Sequence, residues 1–196
     1  ALFSGTQAAL YHWNGHVWDR HAAPPHLEGS VYSFRHGAFA GTPDGPLLAT
    51  VTRRGDFAIR EGGGWRECPD LPVQPDSIRT LAGADGLFYA GTSDGLYVIP
   101  ATAPERAREV VLDTPSPGVM ALAWEAGTRT LWVVGADWIG HLDDDGFILD
   151  RRDAPFLHIP EYPDVIAAPD RRGGLYIGNL VAIGRASCRE RVFRTV

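Results

Sequence analysis

Short apolar runs alternate with turns rich in Gly, Asp and Pro along most of the chain. The clearest instance is Gly86 to Ile99, where Leu87 to Ala90 and Leu96 to Ile99 flank a Gly-Thr-Ser-Asp-Gly turn. Runs this short, rich in aromatic and β-branched residues and broken by an Asp-Gly pair, predict a β-hairpin in which Asp94-Gly95 supplies the positive φ angles of the turn. Weaker copies recur at Leu2 to Trp13, Leu47 to Ile59, Leu131 to Leu142 and Leu175 to Leu180. Their spacing of roughly 40 to 46 residues points to a repeated β-unit rather than a helical repeat.

In chain order, Leu2 to Thr6, Ala8 to Trp13 and Val17 to Arg20 read as three strands, the last two joined by Asn14-Gly15. After Pro24-Pro25, Ser30 to Phe34 opens a full unit completed by Leu47 to Thr52, Asp56 to Arg60 and Trp65 to Cys68. Ser77 to Leu81 opens the second unit, which contains the Gly86 to Ile99 hairpin and closes with Arg108 to Leu112. Val119 to Trp124, Leu131 to Val134, Trp138 to Leu142 and Phe147 to Asp150 form the third, and Val165 to Ala168 with Leu175 to Ile177 begins another.

Four strands per unit, tight turns within it and Pro-rich links between units are what a propeller blade requires, because each blade is a twisted antiparallel sheet packed on its neighbours. The fold class expected is therefore all-β, an incomplete β-propeller of four-stranded antiparallel blades. It is divided into a remnant at 1–23, blades at 29–70, 76–113 and 117–151, and a partial blade at 164–182. The first unit lacks its inner strand and the last its outer two. Helical folds are excluded by the frequency of Gly and Pro within the apolar runs, and a sandwich would not impose the repeat. Unpaired edges at both ends predict an open arc that associates when expressed alone.

The pattern fails abruptly at Ile183. Ile183 to Val192 resembles the conceptual translation of a common DNA-sequencing adapter, and 183–196 is expected to be a tail outside the repeat. The chain also starts inside a strand, without an initiator Met, so the natural termini are expected to lie elsewhere.

Composition narrows the function classes. The formal net charge is -6, and every basic residue is Arg. The tail holds four Arg against one Glu, so the rest is more acidic still. An acidic chain argues against nucleic acid or an anionic membrane surface as the partner. No apolar run approaches the roughly 20 residues of a bilayer span, so no direct membrane contact is expected. Cys68 and Cys188 are the two cysteines, and with the second in the tail no disulfide is inferred.

The Gly86 to Ile99 stretch, with its aromatic strand, Gly-Thr, Gly-Leu and second apolar strand, resembles the two-component-regulator propeller repeat. Leu131 to Leu142 keeps Leu-Trp-Val-Val-Gly but carries Ala136 for the Thr and Trp138-Ile139 for the Gly-Leu; Leu175 to Gly178 keeps the first half. The resemblance implies a sensor region of a bacterial signalling protein, outside the cytoplasm, with a signalling output domain elsewhere in the full-length protein.

Propeller ligands meet the turns and interblade links at a channel mouth. The hairpin turns offer Gln7, Arg53, Arg54, Asp56, Ser93, Asp94, Asp137 and Trp138. Arg53, Arg54, Asp137 and Trp138 are taken as candidate ligand-binding residues for a small-molecule or protein ligand. Paired guanidinium groups suit a carboxylate or sulfate. An indole suits a sugar ring or peptide side chain, although blade-to-blade packing is the more common use of such a residue. Each of the polar positions also fits a solvated turn.

Asp143-Asp144-Asp145-Gly146 invites calcium, but it lacks the alternating loop and distal Glu of a helix-loop-helix site, and Asp-Gly is good turn chemistry in itself. The seven His show no zinc spacing. There is no nucleophile elbow and no phosphate-binding loop, since Gly62-Gly63-Gly64 lacks the following Lys. No metal, cofactor or catalytic residue is assigned, and a noncatalytic sensor is expected. The alternatives are a channel-mouth hydrolase or lyase, or a protein-docking scaffold with an aromatic patch around Trp138 or Tyr162.

Overall fold

The computed structural model describes residues 2–6, 9–13, 16–22, 34–42, 45–52, 56–61, 64–114, 116–144, 146–152, 165–169, 175–179 and 190–192. Five antiparallel sheets follow one another along the chain. The first is β1 (Leu2–Thr6), β2 (Ala9–Trp13) and β3 (Trp18–Ala22). The second is β4 (Phe34–Thr42), β5 (Gly45–Thr52), β6 (Phe57–Glu61) and β7 (Gly64–Glu67). The third is β8 (Ile78–Ala84), β9 (Leu87–Thr92), β10 (Leu96–Pro100) and β11 (Arg108–Val110). The fourth is β12 (Val119–Glu125), β13 (Thr130–Gly135), β14 (Trp138–Asp143) and β15 (Gly146–Arg152). The last is β16 (Val165–Pro169), β17 (Leu175–Asn179) and β18 (Glu190–Val192). β18 pairs with β17 and gives this sheet a third strand, within the stretch that the apolar pattern sets apart.

Period-two alternation assigns the two faces of each sheet to different cores. On β9 and β10, Phe88, Ala90 and Ile99 face the second sheet, meeting Ala49, Phe57 and Ile59. Tyr89, Leu96 and Val98 point the other way and meet Leu131, Val133 and Trp138 of the fourth sheet. That sheet turns Trp132, Val134 and Ile139 toward Leu175 of the fifth. The hairpin read from sequence is thus the centre of two cores. The buried residues of the inner strands are mostly small, Ala38 and Ala40 on β4, Ala82 and Ala84 on β8, Ala121 and Ala123 on β12. Bulky Phe57, Phe88, Leu131 and Trp132 lie farther out, as sheets converging on an axis require. The inner strands β4, β8, β12 and β16 are neighbours in succession.

Two expectations are corrected. The inner strand of the second sheet is Phe34–Thr42, not Ser30 to Phe34, of which all but Phe34 lie outside the described residues. Small Ala38, Ala40 and Gly37 make a weak apolar signal where sheets approach most closely. The positive-φ Asp-Gly pair is Asp85 (φ 48) and Gly86 (φ 78), in the two-residue turn from β8 to β9. In the Asp94-Gly95 pair Gly95 has φ 159 but Asp94 is not among the positive-φ residues, and the turn is closed by a hydroxyl.

Candidate functional site at the mouth where the inner strands begin

Each inner strand runs away from one mouth and the second strand returns to it, so that mouth gathers the turns between second and third strands and the links between sheets. In the third sheet the turn is built on Thr92, which is fully buried. Its Oγ1 accepts the N–H of Asp94 (3.1 Å) and of Gly95 (3.0 Å), and the hydroxyl donates to the Gly95 carbonyl (3.0 Å). The preceding Gly91 lets the next sheet approach, since a Cβ there would lie 2.5 Å from Val119 Cγ1 and 2.6 Å from Thr80 Cγ2. The Gly-Thr of the repeat is therefore structural in both residues.

The link from β11 to β12 crosses this turn, with Gly118 close to the Ser93 carbonyl, and then braces the fourth sheet. Ser116 Oγ donates to Asp137 Oδ1 at 2.9 Å, and the Trp138 indole N–H donates to the Ser116 carbonyl at 2.8 Å. The Thr114 hydroxyl donates to the same carbonyl at 2.9 Å. Trp138 is 0% exposed and stands edge-on to Phe147, ring centroids 5.7 Å apart at 83°. Its ring occupies the space that a Cβ on Gly135 would need. Asp137 and Trp138 are thus brought together by one link, with the carboxylate half-buried and the indole spent on packing. Asp94 is exposed, and Ser93 and Asp56 are half-buried. Arg53, Arg54 and Gln7 lie outside the described residues.

The pairing also aligns the repeats. Thr52, Thr92 and Gly135 each stand opposite the first residue of an inner strand, Phe34, Ile78 and Val119. Gly135 therefore occupies the place of Thr92 and not that of Gly91. Immediately after each of these pairs the inner strand bulges, between Phe34 and His36, Ile78 and Thr80, and Val119 and Ala121. The extra residues are Arg35, Arg79 and Met120. A bulge breaks the alternation and re-aims a side chain. Ile78 enters the core toward the second sheet, and the Thr80 methyl lies on the side of Val119. The Arg79 Nη1 contacts Met120 Sδ at 3.1 Å, bulge residue to bulge residue across adjacent inner strands, and Met120 belongs to none of the three cores. Sequence reading passed over Arg79 and Met120 as ordinary strand positions. A charged residue within the apolar run from Ile78 to Leu81 was the available signal.

At the far ends of these strands, His141 Nδ1 lies 2.6 Å from Asp150 Oδ2 and its Nε2 3.8 Å from Asp143 Oδ2. The Trp132 ring lies against the imidazole, and its N–H donates to Glu125 at 3.2 Å. Asp143 Oδ1 also accepts the Gly146 N–H at 3.2 Å, as turn chemistry requires. Among the described residues no group of three or more His, Cys, Asp or Glu is placed to hold a metal ion, and no helix is long and apolar enough to cross a membrane.

Solved structures share this fold. The extracellular domain of a protein assigned as a one-component system from B. thetaiotaomicron superposes with a TM-score of 0.57 at 13% identity, over 90% of this chain and 23% of that one. A catalytically inactive virginiamycin B lyase from Staphylococcus aureus with quinupristin gives 0.59 at 14% identity, over 89% and 57%. YCF48 bound to D1 peptide gives 0.55 at 15% identity, over 89% and 55%. The fold is a β-propeller. No family model and no curated protein matches the chain. The chain spans less than two thirds of each of these propellers, and at such identities the likeness is one of fold.

Proposed function

We propose that the chain is part of a noncatalytic, ligand-binding propeller, the sensor region of a bacterial signalling protein acting outside the cytoplasm. The observation that carries this reading is the bulge repeated in three successive inner strands, which brings the Arg79 guanidinium against Met120, a residue outside the interblade cores, at the mouth where turns and links converge. A frame packed on both faces of each sheet, with its variable chemistry at one rim, suits recognition by fixed groups. The sensing role is supported by the resemblance of the Gly86 to Ile99 hairpin to the regulator repeat and by the likeness in fold to a signalling extracellular domain. The ligand is a small molecule or protein segment, and the output domain belongs to the full-length protein.

The test is a thermal-shift screen of small polar metabolites, with each hit incubated at length and recovered for mass spectrometry. A ligand at 100 times its Kd stabilises the folded state by about 2.7 kcal/mol. The reading requires such a shift with the ligand recovered intact. Conversion of the ligand, in the manner of a hydrolase or lyase, would overturn it.

A further inference from the structure

Arg79 is half-buried, and its contact at the guanidinium is a thioether, a weak acceptor. Among the arginines whose side chains are described, Arg66, Arg106 and Arg129 each pair with a carboxylate, and Arg79 does not. The contact at its Nη1 is Met120, a residue that belongs to none of the interblade cores, and no described carboxylate pairs with the rest of its fork of N–H donors. The bulge fixes its place on the inner strand, so no long loop must be ordered when something binds. A guanidinium held in this way is suited to two parallel hydrogen bonds to an oxyanion. Arg35 holds the equivalent register position on β4 and Met120 on β12, so the same level of successive inner strands reads Arg, Arg, Met.

We propose that Arg79 anchors the oxyanion group of the ligand, a carboxylate or a sulfate, at the rim of the inner strands, with the Met120 side chain as the surface against which the guanidinium lies. The inference rests on the ligand-binding reading above and names the chemistry of its ligand. The overall acidity of the chain makes a positive anchor selective, because an anion is repelled elsewhere and held here.

The experiment is isothermal titration of the 196-residue chain with citrate and, separately, with sulfate, ionic strength being held constant with sodium chloride. Saturable binding of at least one anion is expected, and the arm that binds more tightly separates carboxylate from sulfate. Arg79→Gln is expected to weaken binding about tenfold or more, the loss of a charge-assisted pair. Arg79→Lys, which keeps the charge and loses the fork, should fall between the two. Met120→Leu keeps the apolar surface and should bind within about threefold of the parent. Melting temperatures of the unliganded variants establish that each is folded. Equal binding by Arg79→Gln, or no saturable heat from either anion with the parent chain, would overturn the assignment. Binding that ignores Arg79 would leave a ligand-binding propeller without this anchor, whereas citrate altered on recovery would remove the noncatalytic reading itself.

Discussion

Replacing Trp138 by Ala removes the largest fully buried side chain of the described core. Large-to-small changes of a buried Trp cost about 3–5 kcal/mol through lost transfer energy and the cavity left behind. The edge-on contact with Phe147 is worth about 0.5–1.5 kcal/mol in addition to its area. The Ser116 carbonyl would keep the Thr114 hydroxyl as donor, so losing the indole N–H adds little. A total near 5 kcal/mol corresponds to a melting temperature lower by about 10–20 °C for a chain of this size. Urea unfolding followed by far-UV circular dichroism is the appropriate assay, because the substitution removes a fluorophore.

Trp138→Phe, which keeps most of the apolar area and loses the N–H, should cost about 1–2 kcal/mol. Gly135→Ala gives the internal control: its Cβ would collide with the indole ring, costing about 1–3 kcal/mol in the parent and close to nothing in the Trp138→Ala background. A cost below about 1 kcal/mol for Trp138→Ala, or additive costs for the two substitutions, would refute the placement of Trp138 as packing against Gly135.

Thr92→Val keeps the shape but deprives the N–H groups of Asp94 and the buried Gly95 of their acceptor, and should cost about 1–3 kcal/mol while Thr92→Ser stays near the parent in the same urea assay. Burial pushes the Cys68 thiol above its ordinary value of 9.0, with the Arg66 guanidinium opposing it. In a Cys188→Ser background, Cys68 should therefore react with a disulfide reagent at pH 8 at least about tenfold more slowly than after unfolding in urea. Because the folded thiol holds its proton more tightly than the unfolded one, its contribution to stability is intact below pH 9.0 and declines as pH rises through the raised value. A Cys68→Ala variant should lack that part of the alkaline decline, and an unchanged profile would count against it.

Strands whose residues alternate between two cores were legible in the sequence, because alternation and turn chemistry are local. Leu87 to Ala90 and Leu131 to Val134 are recovered nearly residue for residue in β9 and β13. β4 was not, since the buried positions described in it are Ala38 and Ala40 and the charged or polar Arg35 and His36 follow its first residue. The placement of Asp137 and Trp138 in a turn was legible too, but not their tie to Ser116, which lies 21 and 22 residues away. The bulges were invisible, because one extra residue in a strand leaves no compositional mark; only pairing shows that Arg79 and Met120 are equivalent and adjacent. At Asp94-Gly95 only Gly95 has a positive φ, of 159°, and Asp94 does not. A buried Thr hydroxyl can close a turn as well as a positive-φ pair can, and from sequence the two look alike.

The claim that the Gly86 to Ile99 hairpin is the shared wall of two interblade cores is tested most directly by native-state hydrogen exchange with peptide-level mass spectrometry. The amides of β9, β10 and β13, buried on both faces, should exchange most slowly, and those of the outer strands β7 and β11, with their exposed side chains, at least about a hundredfold faster. Exchange in β9 and β10 as fast as in β11 would contradict the account.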